Sequence, residues 1–206
     1  MSAKQLFGVA AACAVAVAGV AGFGRADDKP IDDEGFIRTW LILAPIPLAE
    51  GDNPGEAVDK EQVKDEGKLS PKDGEKVKVG EKELEWKKLT AEDYFFDVNK
   101  HIGSDTDRST AYAVAYVVAP DDLTASLKIG SDDGCKVYVN GKEVGKSADD
   151  RAVDKDQNTF ENVALKKGVN VVVFKVINNG GEWKGAARFA DKDGKPVAGL
   201  KAQLTK

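Results

Sequence analysis

The chain has 206 residues, with 30 Lys and Arg against 35 Asp and Glu, and its formal net charge is −5. This acidity argues against nucleic acid or an anionic membrane surface as a partner, because basic patches bind both. The single histidine, His101, excludes any metal site built from several histidines.

The amino terminus has the pattern of a secretory signal peptide over residues 1–26. A short cationic start precedes an apolar run at residues 6–20, and the small residues Gly24 and Ala26 stand at the −3 and −1 positions of a cleavage site before Asp27. The pattern predicts a secreted or periplasmic protein with no transmembrane segment after cleavage. An uncleaved membrane anchor is the alternative.

The two cysteines sit in different contexts. Cys13 lies in the predicted signal peptide. It matches a lipidation motif only weakly, because the apolar run continues past it. After cleavage only Cys135 remains, so no internal disulfide can form. Its apolar strand context predicts a small buried side chain rather than a catalytic thiol.

Residues 27–83 form an N-terminal segment of uneven character. Residues 37–43 are apolar and predict one sandwich strand, which we expect Pro45 and Pro47 to end. Residues 50–82 are dominated by Glu, Lys, Asp and Gly, which predicts a solvated, partly irregular insertion and not an independent domain. A charged interaction arm is the alternative. Its large aliphatic residues are Val58, Val63, Leu69, Val77 and Val79.

Residues 84–206 predict a domain of short strands separated by turns. An Asn140-Gly141 dipeptide favours a type I′ hairpin turn. Short strands at this spacing without a long amphipathic helix indicate an all-β sandwich. The predicted strands cover residues 111–119, 123–129, 136–139, 142–144, 160–165, 170–177, 186–190 and 197–204.

Two sequence patterns resemble known β-sandwich modules. Val-Tyr-Val-Asn-Gly-Lys at 137–142, followed by Leu-x-x-Gly-x-Asn at 165–170, resembles the galactose-binding-like jelly roll, such as the sugar-binding domain of family 2 glycoside hydrolases. Ser-Asp-Asp-Gly at 131–134 resembles a turn of the PA14 module, and residues 40–47 resemble an upstream strand that accompanies this core. The resemblance implies a jelly-roll β-sandwich, but fold alone does not specify function.

The adjacent pair Asp132 and Asp133 is the main site candidate. In lectin-type PA14 modules, which this turn resembles, such a pair coordinates Ca²⁺, and the ion binds sugar hydroxyls. Calcium prefers carboxylate and amide oxygens, so Asn178 and Asn179 or the acidic loop 149–158 are expected to complete the site. The metal set we predict is Asp132, Asp133 and Asn179. The alternative is a turn whose carboxylates accept backbone N–H groups.

Aromatic side chains provide the second candidate feature, because sugar rings stack on flat aromatic faces. Trp183 lies in a glycine-flanked loop and is the expected platform. Tyr138 follows the Asp pair on the next strand and is expected to line the same face. Ordinary packing in the sandwich is the alternative for both residues.

Sequence motifs for catalysis or an EF-hand are not matched. Residues 154–158 match the start of an EF-hand loop, but Thr159 stands where glycine is needed and Leu165 where the bidentate Glu belongs. A looser calcium loop or an exposed acidic loop are the remaining interpretations. We expect His101 to lie in an exposed loop, and no nucleophile elbow, P-loop or C-x-x-C is present.

Taken together, the sequence predicts an exported, non-catalytic β-sandwich that binds carbohydrate at its loop end, with calcium as the candidate cofactor. Its partner would be a glycan or a cell-envelope component, and not a nucleic acid. The alternative function is a structural or protein-interaction module of the cell envelope that has no sugar site.

Overall fold

A computed structural model describes residues 31–206. The predicted signal peptide, its cleavage point and Cys13 lie outside these described residues. No helix among them is long and apolar enough to cross a membrane. In chain order the elements are β1 (Thr39–Pro47), α1 (Pro54–Ala57), a 3₁₀ turn (Glu66–Lys68), β2 (Lys76–Val79), β3 (Lys82–Glu85), β4 (Lys87–Thr90), β5 (Phe96–Asp97), α2 (Val98–Ile102), β6 (Ser109–Ala119), β7 (Leu123–Asp132), β8 (Cys135–Val139), β9 (Lys142–Ser147), β10 (Asn158–Leu165), β11 (Gly168–Asn178), β12 (Lys184–Ala190) and β13 (Lys201–Gln203).

The larger sheet has seven antiparallel strands in the order β4-β1-β6-β11-β8-β9, with β13 also paired to β6. Its centre is the pair β6 and β11, which stay in register from Gly168 opposite Ala119 to Asn178 opposite Ser109. Both strands are rich in Val and Ala, which suits a sheet that is covered on both faces.

The smaller sheet has four strands in the order β10-β7-β12-β5 and packs face to face on the larger one. From β6 onward the chain passes repeatedly between the two sheets, so that β7, β10 and β12 lie in the smaller sheet and β6, β8, β9, β11 and β13 in the larger. The hairpin β2–β3 forms a separate two-stranded sheet. The predicted all-β sandwich of jelly-roll type, with an irregular N-terminal insertion, is confirmed.

The core between the two sheets is built on aromatic rings. Trp40 contacts Phe96 edge-on with ring centroids 5.2 Å apart, and Phe96 contacts Phe174 at 5.8 Å. All three rings are at most 1% exposed. Burying an aromatic or large aliphatic side chain contributes about 1.5–3 kcal/mol, so this cluster provides much of the stability of the sandwich.

The first strand runs further than the sequence predicts. Prolines were expected to end it, yet β1 continues through Pro45 to Pro47. Its pairing with β6 shifts register between Leu43 and Ile46, and this irregularity takes Pro45 out of the hydrogen-bond ladder. Proline is tolerated in a strand at such a position, so the predicted end of the strand at residue 43 is wrong.

Residues 50–86, which we call the cover segment, lie across the outer face of the larger sheet. On that face Tyr112, Val114 and Tyr116 of β6 are buried together with Trp86 of the cover segment. Most residues of 50–82 are exposed, as expected for a solvated insertion with little regular structure, but a few of them pack on the sheet. The large aliphatic residues that make its contacts are Val58, Val63, Leu69, Val77, Val79 and Leu84.

A buried ion pair fastens the cover segment to the sheet. Lys175 of β11 places its Nζ 3.1 Å from Oε2 of Glu66, and the two side chains are 0% and 6% exposed. The hydroxyls of Tyr112 and Tyr138 both donate to the Glu66 carboxylate. Every donor and acceptor of the pair therefore has a partner, as a buried charge requires. The remaining Lys175 donors reach the carbonyls of Val58 and Lys60.

The two parts of the jelly-roll motif meet in the structure. Asn140 and Gly141 have φ angles of 53° and 82°, which confirms the predicted hairpin turn between β8 and β9. The Asn140 side chain donates to Oδ1 of Asn170 at 2.8 Å and accepts from the N–H of Val171 at 3.0 Å. The motif therefore joins one hairpin to the neighbouring central strand.

Candidate functional site

Asp132 ends β7 and Asp133 begins the connection to β8, with a cis peptide bond between them. They are 5% and 6% exposed. Asp133 accepts from the backbone N–H of Arg151 at 3.0 Å through Oδ1 and from that of Asn179 at 2.8 Å through Oδ2. The backbone N–H of Val153 acts to lower the pKa of Asp132. The pair therefore anchors backbone N–H groups, as the turn interpretation expects.

The acidic loop that follows β9 reaches the Asp pair through the backbone N–H of Arg151. Arg151 fixes it there, because its guanidinium donates to Oγ of Ser131 at 2.9 Å and to Oδ1 of Asn158 at 2.6 Å. The loop also presses against β7 at Gly130, where an added Cβ would lie 1.8 Å from the carbonyl oxygen of Asp154. Only glycine fits this close approach.

Burial raises the pKa of both carboxyl groups. Asp132 has a pKa raised from 3.8 to about 6, first by loss of solvent and then by the charges of Asp133 and Glu182, against the opposing charge of Lys184. The pKa of Asp133 is raised by burial and by contact with Asp150, although its two backbone hydrogen bonds oppose the shift. Negative charge is therefore costly here without a cation.

A small hollow of about 170 Å³ opens beside the pair. Asp133, Asp150 and Asn179 line it, and the Asn179 amide donates to Oδ2 of Asp150 at 2.8 Å. The donor set is rich in oxygen, which suits a hard cation such as calcium. Within residues 31–206, however, no three His, Cys, Asp or Glu side chains are grouped closely enough to hold a metal ion by themselves.

Asn178, predicted to join this site, is completely buried. Its Nδ2 donates to the carbonyl of Thr106 at 2.6 Å, and its Oδ1 has no hydrogen-bond partner among the described residues. It pairs with Ser109 across the larger sheet, whereas Asn179 beside it faces the hollow. The structure thus brings Asp133 and Asn179 together, whereas Asn178 is a buried residue at the end of β11 and does not join the site.

The two aromatic candidates lie elsewhere in the protein. Trp183 is 0% exposed and its Nε1 donates to the carbonyl of Val176 at 3.3 Å, so it packs in the core and offers no face to a sugar. Tyr138 donates from its hydroxyl to Glu66 at 2.6 Å beneath the cover segment. For both residues the packing alternative describes the observed environment, because each ring fills space between layers.

The loop with EF-hand-like spacing has its oxygens committed to arginines. Asp156 forms an ion pair with Arg188 at 2.5 Å, and Asn158 accepts from Arg151. Arg188 is therefore the largest cause of the lowered pKa of Asp156. Carboxylates held in this way do not form a calcium loop, so an acidic loop fixed by ion pairs is the better description.

The remaining candidates for reactive chemistry are the thiol of Cys135 and the imidazole of His101. Cys135 is a free, buried thiol whose pKa is raised, mainly by burial, which makes it a poor nucleophile. His101 was expected in an exposed loop, but it lies on α2 and is half-buried. Its pKa is lowered by burial and by the charge of Lys87.

Several residues with a structural or surface role were not identified from the sequence. Glu66 and Lys175 stand among many charged neighbours, and nothing local distinguishes a buried pair 109 residues apart from solvated charges. Phe95 follows Tyr94 in a short run of aromatic residues before β5, and both are half-buried at the surface. This run of aromatic residues is the sequence pattern that could have predicted an aromatic surface.

No protein-family model and no curated protein matches the chain. Among solved structures, it is similar to the PA14 domain of the MpAFP antifreeze protein, with 16% identity and a TM-score of 0.37, over 49% of this chain and 57% of that one. It is also similar to an α-L-rhamnosidase of Streptomyces avermitilis solved with L-rhamnose, with 18% identity and a TM-score of 0.30, over 50% of this chain and 11% of that one. The chain thus spans 57% and 11% of the lengths of these two chains.

Proposed function

We propose that the protein is a non-catalytic module that binds carbohydrate at the hollow formed by Asp133, Asp150 and Asn179. The observation that supports this function is that the Asp133 and Asp150 carboxylates line one concave, oxygen-rich hollow beside the Asn179 amide. Carboxylate and amide groups are well suited to accept hydrogen bonds from sugar hydroxyls and to donate to them.

Calcium is the ion that this donor set would accept. Asp133, Asp150 and the amide oxygen of Asn179 would hold it, with Asp132 adding negative charge from the adjacent position. The bound ion would supply coordination positions for vicinal hydroxyl groups. The protein's own residues contribute the fixed backbone around it, because Arg151 and the Asp133 hydrogen bonds hold the loop in place.

We propose a binding role without catalysis because, among residues 31–206, the groups that line the hollow do not pair a nucleophile with a base. The single histidine lies on α2, and it does not line this hollow. The apolar N-terminal run supports the further proposal that the protein is secreted or periplasmic, where glycans of the cell envelope would be its partners.

The rival function is a structural or protein-interaction module of the cell envelope without a sugar site. The observation that favours it is that each oxygen of Asp133 already accepts a backbone N–H. A carboxylate used in this way stabilises the loop whether or not a ligand binds, so the two proposals need a binding experiment.

The experiment is a glycan array read with calcium and with chelator, together with calorimetric titration of calcium alone. Asp150→Asn is the main variant, because Asp150 is exposed and anchors no backbone group, whereas Asp133→Asn also tests the loop anchor. Asp121→Asn is the matched control, since Asp121 is an exposed loop carboxylate that pairs with Lys167.

The carbohydrate proposal expects glycan binding that Asp150→Asn weakens and Asp121→Asn leaves unchanged. Binding that survives chelator but not Asp150→Asn would support direct recognition without calcium. If no glycan binds in either buffer while the wild-type chain captures one stoichiometric envelope protein, the carbohydrate proposal is wrong and the rival is supported.

A further inference from the structure

A larger cavity lies at the edge of the sandwich, away from the hollow. It has a volume of about 560 Å³ and is enclosed by β4, the turn at residues 91–95 and helix α2. Its volume is within the range of about 300–1,000 Å³ that is typical of small-molecule sites. None of the residues that line it also lines the hollow beside Asp133.

The apolar part of the cavity is formed by Leu89, Ala91 and the ring of Phe95. Phe95 is half-buried and its ring is held in a defined position. Tyr94 packs against it edge-on, with centroids 5.1 Å apart and an interplanar angle of 89°, and Nζ of Lys184 lies 4.8 Å from the ring centroid. A rigid aromatic ring in a cavity provides contact area at little entropic cost.

The polar part of the cavity contains groups without protein partners. Among residues 31–206, the side chains of Lys88, Thr90 and His101 form no hydrogen bond or ion pair, and at Lys88 only the backbone N–H bonds a side chain, Oδ1 of Asp73 at 2.9 Å. These side chains can offer an ammonium donor, a hydroxyl and an imidazole to a ligand. On the opposite side Asp97 caps α2 by accepting from the Lys100 N–H at 2.9 Å, which fixes the helix against the cavity.

Both signs of charge surround the cavity. The lining includes two lysines and three carboxylates, so a strongly charged ligand of either sign would meet repulsion. The lysine Lys100 and the carboxylate Glu92 form an exposed ion pair of 2.5 Å, joining the turn to α2. A neutral ligand with one apolar face and many hydroxyl groups satisfies the apolar ring and the mixed donors and acceptors at once.

We propose that this cavity is a separate binding site for a neutral sugar ring, which packs its apolar face on Phe95 and hydrogen-bonds through its hydroxyls to Lys88, Thr90 and His101. The site goes beyond the hollow at Asp133, since it uses other residues and no calcium. It would give the module a second glycan contact, and it is tested independently of the first.

His101 allows a direct test because the chain has one histidine. The imidazole resonances of tag-free protein are then a single reporter in the cavity, observed by NMR during titration with the methyl glycosides of glucose, galactose and mannose, in chelator. We expect a saturable shift of the His101 resonances for at least one glycoside. Phe95→Leu, which keeps apolar volume but removes the ring, should weaken that binding by about tenfold.

Two variants distinguish binding in this cavity from binding elsewhere on the protein. Phe160→Leu makes the same substitution at a half-buried phenylalanine of β10 that does not line the cavity, and it should leave the affinity within about twofold of the wild-type value. Asp150→Asn should also leave the His101 titration unchanged, although it tests the first site. If no glycoside shifts His101 saturably, or if Phe95→Leu binds as tightly as the wild type, the proposal is wrong, whatever the glycan array shows.

Discussion

Asp132 carries a carboxylate into a position that is 5% exposed, next to a second acid. Its pKa of about 6 lies above the value of 3.8 for a free side chain, so the folded protein binds a proton more tightly than the unfolded chain does. The resulting contribution to stability is fully present below pH 3.8 and is lost as the pH rises through about 6. At neutral pH this residue destabilises the fold when no cation is bound.

Asp132→Asn should therefore stabilise the calcium-free protein at neutral pH, by up to about 3 kcal/mol, because the amide keeps the shape without the charge. Urea unfolding of both proteins in chelator, between about pH 4 and pH 8, measures the difference. The gain should shrink as the pH falls and disappear near the pKa of a free carboxyl group. A variant less stable than the wild type at pH 7 would show that the charge itself holds the loop.

Individual residues also show where the sequence was informative. Asn140 and Gly141 were predictable because a type I′ turn needs residues that tolerate positive φ, a purely local property. The burial of Trp183 was not predictable, because its glycine-flanked sequence resembles an exposed loop tip. Strands distant in sequence bury the ring. Asp133 and Asn179 lie together, but through the backbone N–H of Asn179 and not through the side-chain oxygen that a calcium ligand would use.

At the level of elements, the cover segment depends on one buried ion pair. Replacing either Glu66 or Lys175 by alanine leaves its partner charged in a dry interior, which typically costs about 3–5 kcal/mol. We therefore expect Glu66→Ala and Lys175→Ala each to lower the free energy of unfolding by an amount of this size. Chemical denaturation of the two variants and of the double variant measures the effect, and the double variant should lose less than the sum of the two.

The matched control is an ion pair on the surface. Lys167 and Asp121 lie 3.1 Å apart with side chains 72% and 77% exposed, so either alanine substitution there should change stability by less than about 1 kcal/mol. If Glu66→Ala lowers the free energy of unfolding no more than this control does, the buried pair does not fasten the cover segment. The burial of Lys175 lowers its pKa despite Glu66, which is consistent with a pair that depends on its partners.

The packing of the cover segment on the sheet was not predicted from the sequence, and this has a physical explanation. Its composition is that of a solvated chain, and composition alone predicts that too little apolar surface is available for folding. The segment supplies only part of its own interface, because the larger sheet presents an outer face of tyrosine and valine from β6 and β11. Residues 111–119 are apolar on both faces, a pattern typical of a strand in a sheet that is covered on both sides.

At the scale of the whole molecule, the protein is a three-layer arrangement of smaller sheet, larger sheet and cover segment. Two hydrophobic clusters, one on each face of the larger sheet, connect these layers. Because Lys175 belongs to the central strand β11, loss of the cover segment would expose a charge and an apolar face together. We therefore expect the cover segment and the sandwich to open together and not as independent units.

Limited proteolysis tests this coupling, because residues 50–82 contain seven lysines and would be an easy substrate for trypsin if they were solvated. Cleavage after Lys64 and Lys68, which flank Glu66, should be far slower than cleavage after Lys192, whose side chain is 89% exposed in a turn. In Glu66→Ala the two protected sites should be cut about 100-fold faster, since a loss of about 3 kcal/mol raises the open population by that factor. The rate at Lys192 is the internal control and should not change. Equal rates at Lys64, Lys68 and Lys192 in the wild-type protein would mean that the segment opens freely and that the charged pair does not join it to the sheet.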